Sequence, residues 1–170
     1  MSPSPLVVFV GPPAAGKSKL AKKVSAILGC SVVDTDSVIQ ETFGPIPEIF
    51  ATKGEEFFRE QERLAVVDAL RSEGVVALGG GAIINEKTRA DLQNHRVALI
   101  TISADAVSSR LDNDKRPLLT GGIEAWKALV SQRAPWYEQV ATATFESSGA
   151  PMDNLAEEIA SWVKEDAGIR

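Results

Sequence analysis

The chain has 170 residues, of which 44% are hydrophobic and 24% charged, and this suits one compact domain with a hydrophobic core. Its basic residues are scattered and fewer than its acidic ones, 18 against 23, whereas nucleic-acid binders usually carry a basic excess on one face. The lone cysteine, Cys30, excludes an intrachain disulfide, and no apolar run approaches the ~20 residues that span a bilayer. We therefore expect a cytoplasmic, monomeric protein that binds neither nucleic acid nor membrane.

The chain begins with a predicted strand, helix and second strand. Residues Leu6 to Val10 are all apolar, as in a strand that is buried on both faces. A helix is predicted to begin near Lys17, because apolar residues recur at helical spacing from Leu20 to Leu28. A short second strand then ends at Asp34.

Helices and strands continue to alternate along the rest of the chain. Further helices are predicted near residues 37–42, 47–52, 54–72, 85–93, 105–111, 123–131 or beyond, and 155–163. Further strands are predicted at residues 75–78, 97–102 and 142–146. Five alternations of strand and helix indicate an α/β protein with a parallel sheet and helices on both faces. Because no repeat, low-complexity segment or linker interrupts the pattern, residues 1–170 are predicted to form a single domain.

Three candidate functional segments follow predicted strands. They begin at Gly11, Asp34 and Gly79, each at the carboxyl end of its strand. In open α/β sheets the ligand lies beyond the carboxyl ends of the strands. These segments are therefore predicted to meet at one edge of the sheet.

The first of these segments, Gly11–Ser18, matches the G-x-x-x-x-G-K-[ST] pattern of a phosphate-binding loop between a strand and a helix. In such a loop, backbone N–H groups cradle phosphate oxygens, and the helix N-terminus adds positive potential. Lys17 is expected to reach the β- and γ-phosphates, and Ser18 to bind Mg²⁺. Many small kinases carry glycine at the position of Ala14, and alanine is strained if φ is positive there. We therefore expect the alanine to weaken phosphate binding.

An ordered set of motifs makes the sequence resemble the shikimate kinase family over almost its whole length. The motifs are Gly11–Ser18, Asp34–Asp36, Ile49–Glu55 followed by Phe58, Arg59 and Glu62, Gly79–Gly81, Arg116–Leu119, and Arg133–Pro135 with Tyr137. The resemblance implies a three-layer P-loop NTPase fold with a five-stranded parallel sheet, helices on both faces and a mobile lid. It also implies Mg²⁺-dependent phosphoryl transfer from ATP to the 3-hydroxyl of shikimate, a step of aromatic amino acid biosynthesis.

The resemblance implies a shikimate-binding part formed by helices within about residues 36–72. Arg59 and Arg133 would bind the substrate carboxylate, for which paired guanidinium donors are suited. Asp36 would bind the ring hydroxyls and orient the attacking hydroxyl or accept its proton. Gly79, Gly80 and Gly81 would line the pocket, and Glu62 would support Arg59.

On the nucleotide side, the resemblance implies that Asp34 acts near Mg²⁺ through water and that residues 112–122 form the lid. Arg116 would reach the transferring phosphate, and Arg110 the adenine, although their spacing is one residue shorter than in the family. Catalytic roles fall on Lys17, Asp36 and Arg116. The implied ATP-binding residues are Gly11, Ala14, Ala15, Gly16, Lys17, Ser18, Lys19, Arg110, Arg116 and, in the adenine loop, Pro151.

Two other functions remain open from the sequence. Another small-molecule P-loop kinase, such as a gluconate kinase, would share the phosphate loop, and two arginines favour an anionic substrate without naming it. A binding protein that has lost catalysis would bind ATP or shikimate without turnover. The presence of all the implied catalytic residues argues against this second alternative. Trp126, Trp136 and Trp162 are interpreted as packing residues.

Overall fold

In the computed structural model, which describes residues 2–114 and 121–169 without the side chains of residues 111–114, five strands alternate with seven helices. The strands are β1 (Val7–Val10), β2 (Val32–Asp34), β3 (Val75–Ala77), β4 (Val97–Thr101) and β5 (Ala143–Glu146). The helices are α1 (Lys17–Leu28), α2 (Thr35–Phe43), α3 (Ile46–Ala69), α4 (Glu86–Leu92), α5 (Ala104–Asp114), α6 (Gly122–Val140) and α7 (Met152–Ala167). None of these helices is long and apolar enough to cross a membrane.

The five strands form one parallel sheet in the order β2-β3-β1-β4-β5. Its register pairs Val7 with Val75 and Val32 with Val75, so β1 and β2 flank β3. The predicted α/β class and five-stranded parallel sheet are confirmed. Because the strands are parallel, the segments after Val10, Asp34 and Ala77 leave the sheet at the same edge.

The apolar run in β1 is explained by a hydrophobic core on each face of the sheet. Val7 and Phe9 pack into one core with residues of α1 and α7, whereas Val8 and Val10 pack into the other with residues of α3, α4 and α6. All four side chains are at most 2% exposed. Successive side chains of a strand point to opposite faces, so a strand covered on both sides is apolar at every position. The two cores thus hold the strand that leads into the phosphate loop.

Helix α3 combines the two helices that were predicted before and after residue 53. The chain bends at Gly54, where φ is 87°, a value that favours glycine. A third hydrophobic cluster lies beneath this bend and includes Ile39, Ile49 and Phe58. It packs α2 against α3, and these two helices carry Asp36 and Arg59.

The helix predicted to end near residue 111 runs further, into the segment assigned to the lid, residues 112–122. Helix α5 continues to Asp114, and α6 begins at Gly122, so both ends of that segment are helical. An apolar stripe marks only the part of a helix that packs on a core, so it underestimates helix length. The central residues, 115–120, lie outside the described part of the chain.

Helix α6, which was predicted to reach Ser131 or beyond, continues to Val140. It contains Pro135, which lacks an N–H and leaves the carbonyl of Ser131 without its helical donor. Ser131 is exposed, so water can satisfy that carbonyl. The longer helix brings Arg133 and Tyr137, both buried, to the edge of the sheet that carries the glycine-rich segment.

Candidate active site

The carboxyl edge of the sheet opens into a cleft of about 1020 Å³. Most of the residues predicted for the site line it: Ala14, Gly16, Lys17, Ser18, Lys19, Asp34, Asp36, Arg59, Gly79, Gly80, Gly81, Arg110 and Arg133. Gly11 and Ala15 belong to the same loop but are buried and do not line the cleft. Pro151 is exposed beside Met152, which does line the cleft. Arg116 lies outside the described residues. The fold therefore gathers residues from two loops, five helices and the end of β2 around one space.

Lys17 is held down on the phosphate loop. Its Nζ donates hydrogen bonds to the carbonyl oxygens of Gly11 at 2.7 Å and Pro12 at 2.9 Å. Burial lowers the pKa of Lys17 from 10.5 to about 8, and the carboxylates of Asp36 and Asp34 oppose this shift. An anion that enters the loop would favour the charged form of this amine.

Ala14 adopts the left-handed backbone conformation. Its φ is 72°, and it is the one non-glycine residue with positive φ in the described ranges 2–114 and 121–169. This conformation costs an L-residue roughly 1–2 kcal/mol, because Cβ crowds the following carbonyl. The sequence indicated that alanine would be strained here if φ were positive, and φ is positive. The loop therefore stores strain at this residue.

Replacing Ala14 with glycine is expected to raise the free energy of unfolding by about 0.5–1 kcal/mol, because glycine adopts positive φ without strain. Part of the relief is offset by the larger conformational freedom of glycine in the unfolded chain. Urea unfolding of both proteins measures the difference. Ala15→Gly is the matched control, since Ala15 is fully buried without positive φ and its change should destabilise. An Ala14→Gly protein that loses as much stability as Ala15→Gly would contradict the strain.

Asp34 has two roles in the structure. One carboxylate oxygen caps α2 by accepting a hydrogen bond from the backbone N–H of Ser37 at 3.1 Å, and the other accepts one from the hydroxyl of Ser18. The capping interpretation and the placement beside the phosphate loop therefore both hold. Hydroxyl and carboxylate oxygens are the ligands that Mg²⁺ prefers, and it takes the remainder from phosphate and water. The pair of Ser18 and Asp34 fits that ion.

Asp36 lies in the first turn of α2 and faces the same cleft. Burial raises the pKa of its carboxyl group, the charge of Asp34 adds to this, and Lys17 and Arg59 oppose it. A carboxylate whose pKa is raised is a stronger base at neutral pH than a solvated one. Asp36 is thus placed between the phosphate loop and Arg59 with the chemistry of a proton acceptor.

Thr35, between the two acids, was missed by the sequence analysis. It is fully buried, and its hydroxyl accepts a hydrogen bond from the backbone N–H of Gly79 at 3.1 Å. This bond joins the end of β2 to the segment after β3. A threonine between two acids at a strand end was the available signal, but its partner is 44 residues away in the chain.

Each of the three consecutive glycines lies close to a side chain from another segment. A side chain at Gly79 would overlap the carboxylate of Asp36, and one at Gly81 would overlap the guanidinium of Arg59. At Gly80 a Cβ would lie 3.1 Å from the ring of Pro13 in the phosphate loop. A side chain at Gly79 or Gly81 would therefore have to displace Asp36 or Arg59 from its place at the cleft.

The two predicted carboxylate-binding arginines are each fixed by one hydrogen bond. Nη1 of Arg59 donates to Glu62 at 2.8 Å, and Nη1 of Arg133 donates to the carbonyl of Gly80 at 2.9 Å. The hydroxyl of Tyr137 donates to the same carbonyl at 3.1 Å. Burial raises the pKa of Glu62, an effect that Arg59 opposes. Since both arginines line the cleft, their remaining donors can bind an anion there.

Side chains from α5 and α6 contact the phosphate loop from the other side. Arg110 donates from Nη1 to the carbonyl of Ala14, and Trp126 donates from Nε1 to the carbonyl of Pro13 at 2.9 Å. The interpretation of Trp126 as a packing residue is therefore incomplete: it is buried, and it is also a donor to the loop. Trp162, by contrast, packs its ring against Phe145 at 5.4 Å between centroids.

Comparisons with known proteins agree with this geometry. A family model described as "Shikimate kinase" matches residues 13–164. The chain is 44% identical to a shikimate kinase of Thermobifida fusca, covering 94% of this chain and 95% of that protein. It also resembles the solved structure of a shikimate kinase from Acinetobacter baumannii in complex with shikimate, with a TM-score of 0.87, 29% identity, and 96% and 94% of the two chains covered. A gluconokinase from Sinorhizobium meliloti has a TM-score of 0.62 at 14% identity, covering 95% and 93%, and this likeness shows the fold alone.

Proposed function

This chain belongs to the shikimate kinase family, and on that premise we propose that its cleft transfers the γ-phosphoryl group of ATP to the 3-hydroxyl of shikimate. The observation that carries the proposal is the meeting, around one cleft, of a phosphate loop, paired acids and two arginines. The phosphate loop would bind the phosphates of ATP, and the paired acids would serve Mg²⁺ and the acceptor hydroxyl. The two arginines would bind the carboxylate of the acceptor.

The nucleotide would lie on the phosphate loop, with its phosphates facing the N-terminus of α1. Gly16 is the N-cap of this helix, and because glycine has no side chain to accept from them, the first N–H groups of the helix remain for phosphate oxygens. Lys17 supplies a positive charge, and the exposed Lys19 on the cleft wall supplies another. Mg²⁺ bound with the nucleotide would be held by Ser18 and, through water, Asp34, and it would neutralise charge on the phosphates.

Shikimate would lie between the glycine segment, α3 and α6. Arg59 and Arg133 are placed to bind its carboxylate, which sets the ring against Gly79–Gly81. Asp36 would then hold a ring hydroxyl and accept its proton as the new bond to phosphorus forms. The proton would end on the Asp36 carboxylate, and ADP would leave with the electrons of the broken bond.

The roles of Arg116 and Pro151 stay predictions from the sequence. Arg116 would stabilise the transferring phosphate from the lid, and the segment ending at Pro151 would lie near adenine. Arg110 contacts the loop directly in the structure. A cytoplasmic location and a monomeric state also remain expectations.

Release of ADP by the purified protein with ATP, Mg²⁺ and shikimate tests the proposal, with gluconate as the alternative acceptor. The proposal expects turnover that depends on shikimate and is absent with gluconate. Turnover of gluconate alone would assign the other kinase. Binding of shikimate and ATP without ADP release would assign the non-catalytic alternative.

Replacing either Arg59 or Arg133 with alanine is expected to weaken shikimate binding by at least about tenfold, since a charge-assisted hydrogen bond contributes roughly 1.5–3 kcal/mol. ATP binding should barely change. Calorimetric titration with shikimate and with its methyl ester measures both effects. The ester should lose less affinity than shikimate, because it carries no charge for the arginine to bind.

Arg63→Ala is the matched control for this experiment. Arg63 lies on the same helix as Arg59 but binds Thr88 and Asp91, outside the cleft. Shikimate affinity should be retained in this control. Unchanged affinity in both cleft variants would refute the carboxylate assignment and, with it, the identity of the acceptor.

A further inference from the structure

Four consecutive carbonyl groups of the phosphate loop each accept a hydrogen bond from a side chain. Lys17 donates to the carbonyls of Gly11 and Pro12, Trp126 to that of Pro13, and Arg110 to that of Ala14. Two of these donors come from residues about one hundred positions later in the chain. The side chains thus hold the carbonyl oxygens, whose partial negative charge would repel phosphate.

The bond to Pro13 has a consequence for the next N–H group. In a trans peptide unit, which is planar, the carbonyl oxygen and the following N–H point in opposite directions. Holding the carbonyl of Pro13 therefore sets the direction of the N–H of Ala14. Pro12 and Pro13 have no N–H of their own, so that of Ala14 is the first one after Gly11 that the loop can offer to a phosphate.

Trp126 is built into the fold as a rigid donor. It lies on the first turns of α6, its side chain is 4% exposed, and it belongs to the same core cluster as Ala15 and Val107. A buried indole N–H requires an acceptor, and here that acceptor is a carbonyl of the loop. The carbonyl of Pro13 is thereby directed at the buried indole.

We propose that Trp126 is a positioning residue for ATP binding: its indole N–H holds the carbonyl of Pro13 so that the N–H of Ala14 can face the phosphates. This inference rests on the proposed function, in which Gly11–Ser18 binds the phosphates of ATP. Trp126 does not line the cleft, so it would touch neither substrate. Its loss should affect the affinity for nucleotide and leave the affinity for shikimate unchanged.

Trp126→Phe is expected to raise the KM for ATP and the Kd for ADP by about fivefold, within the range for loss of one neutral hydrogen bond. The KM for shikimate should change by less than about twofold, because a substitution has little effect on a distant site that shares no contacts with it. Trp162→Phe is the matched control, because it removes an indole from α7 that packs on Phe145, away from the loop. Steady-state kinetics and calorimetry with ADP provide the two readouts.

Phenylalanine also removes part of the packed ring, so a second variant separates shape from hydrogen bonding. Benzothienylalanine at position 126 replaces the indole N–H by sulfur and keeps the bicyclic shape. If positioning depends on the N–H, this variant shows the same loss of nucleotide affinity as Trp126→Phe.

Three outcomes are informative. A selective loss of nucleotide affinity in both variants supports the proposal. Nucleotide affinity like that of Trp162→Phe in the benzothienyl protein overturns it and leaves Trp126 as a packing residue. A wild-type protein that neither binds ADP nor turns over ATP would instead refute the proposed function of the loop, and this inference with it.

Discussion

Replacing Lys17 with alanine is expected to lower kcat/KM for ATP by roughly 10²–10³-fold or more, the cost of removing a preorganised donor from developing charge. The amine of Lys17 lies on the phosphate loop, bonded to two of its carbonyls. In the proposed reaction it moves to the β- and γ-phosphates, where it stabilises charge as the phosphoryl group is transferred. An ADP-release assay with both substrates measures the loss.

The protein should stay folded without Lys17. The sequence placed this residue in a loop, but its side chain is buried and only 9% exposed. Burial disfavours a charged amine and lowers its pKa to about 8. This cost offsets part of the two hydrogen bonds lost with the amine, so the free energy of unfolding should change little. Lys17→Met, which keeps the aliphatic stem, is the control for packing. Activity within about tenfold of wild type in either variant, roughly 1.4 kcal/mol of barrier, would contradict the role.

The wild-type enzyme offers a second test of Lys17 through pH. Because the folded pKa is about 8, below the ordinary 10.5, the free enzyme loses the charge of Lys17 as pH rises through about 8. We expect kcat/KM for ATP to fall above that pH. Bound phosphate favours the charged amine, so kcat should hold to higher pH. A kcat/KM for ATP that stays flat well above pH 8 would exclude this titration.

Replacing Asp36 with asparagine is expected to lower kcat by roughly 10²–10⁴-fold, the range for loss of a general base. Asparagine keeps the shape and can still bind a hydroxyl, so the KM for shikimate should change far less. The space beside Gly79 that the carboxylate occupies also accepts an amide of the same size. Steady-state kinetics with shikimate as the varied substrate separates the two parameters.

Asp34→Asn is the matched control, since Asp34 lies two residues earlier at the end of β2 and contacts Ser18. Asp34→Asn should change the dependence of the rate on Mg²⁺ concentration.

In the wild type, kcat should fall as pH drops through the raised pKa of Asp36, because the base is then protonated. Asp36→Asn should lose this acid limb. If Asp36→Asn has a normal kcat and a large rise in the KM for shikimate, Asp36 only binds the substrate and is not the base.

Much of the fold and part of the site follow from the sequence by itself. The strand of apolar residues, the loop Gly11–Ser18 and the helix after it are contiguous, so spacing and residue type alone specify them. The same holds for the alternation that predicted a parallel sheet. The sequence also predicted that Ala14 would be strained if its φ were positive, because such strain depends on a local backbone angle.

Only the tertiary structure decided which distant residues meet. The order β2-β3-β1-β4-β5 brings Thr35 to Gly79, and α6 brings Trp126 to Pro13 and Arg133 to Gly80. Helix α6 was predicted to reach Ser131 or beyond, without an end point, and the fold shows that it continues past Arg133 to Val140. Local propensity carries no information on such pairs, since each is set by packing between elements far apart in the chain. For the same physical reason, the sequence indicated a glycine-rich turn, and the fold decided that each glycine there lies close to a different side chain.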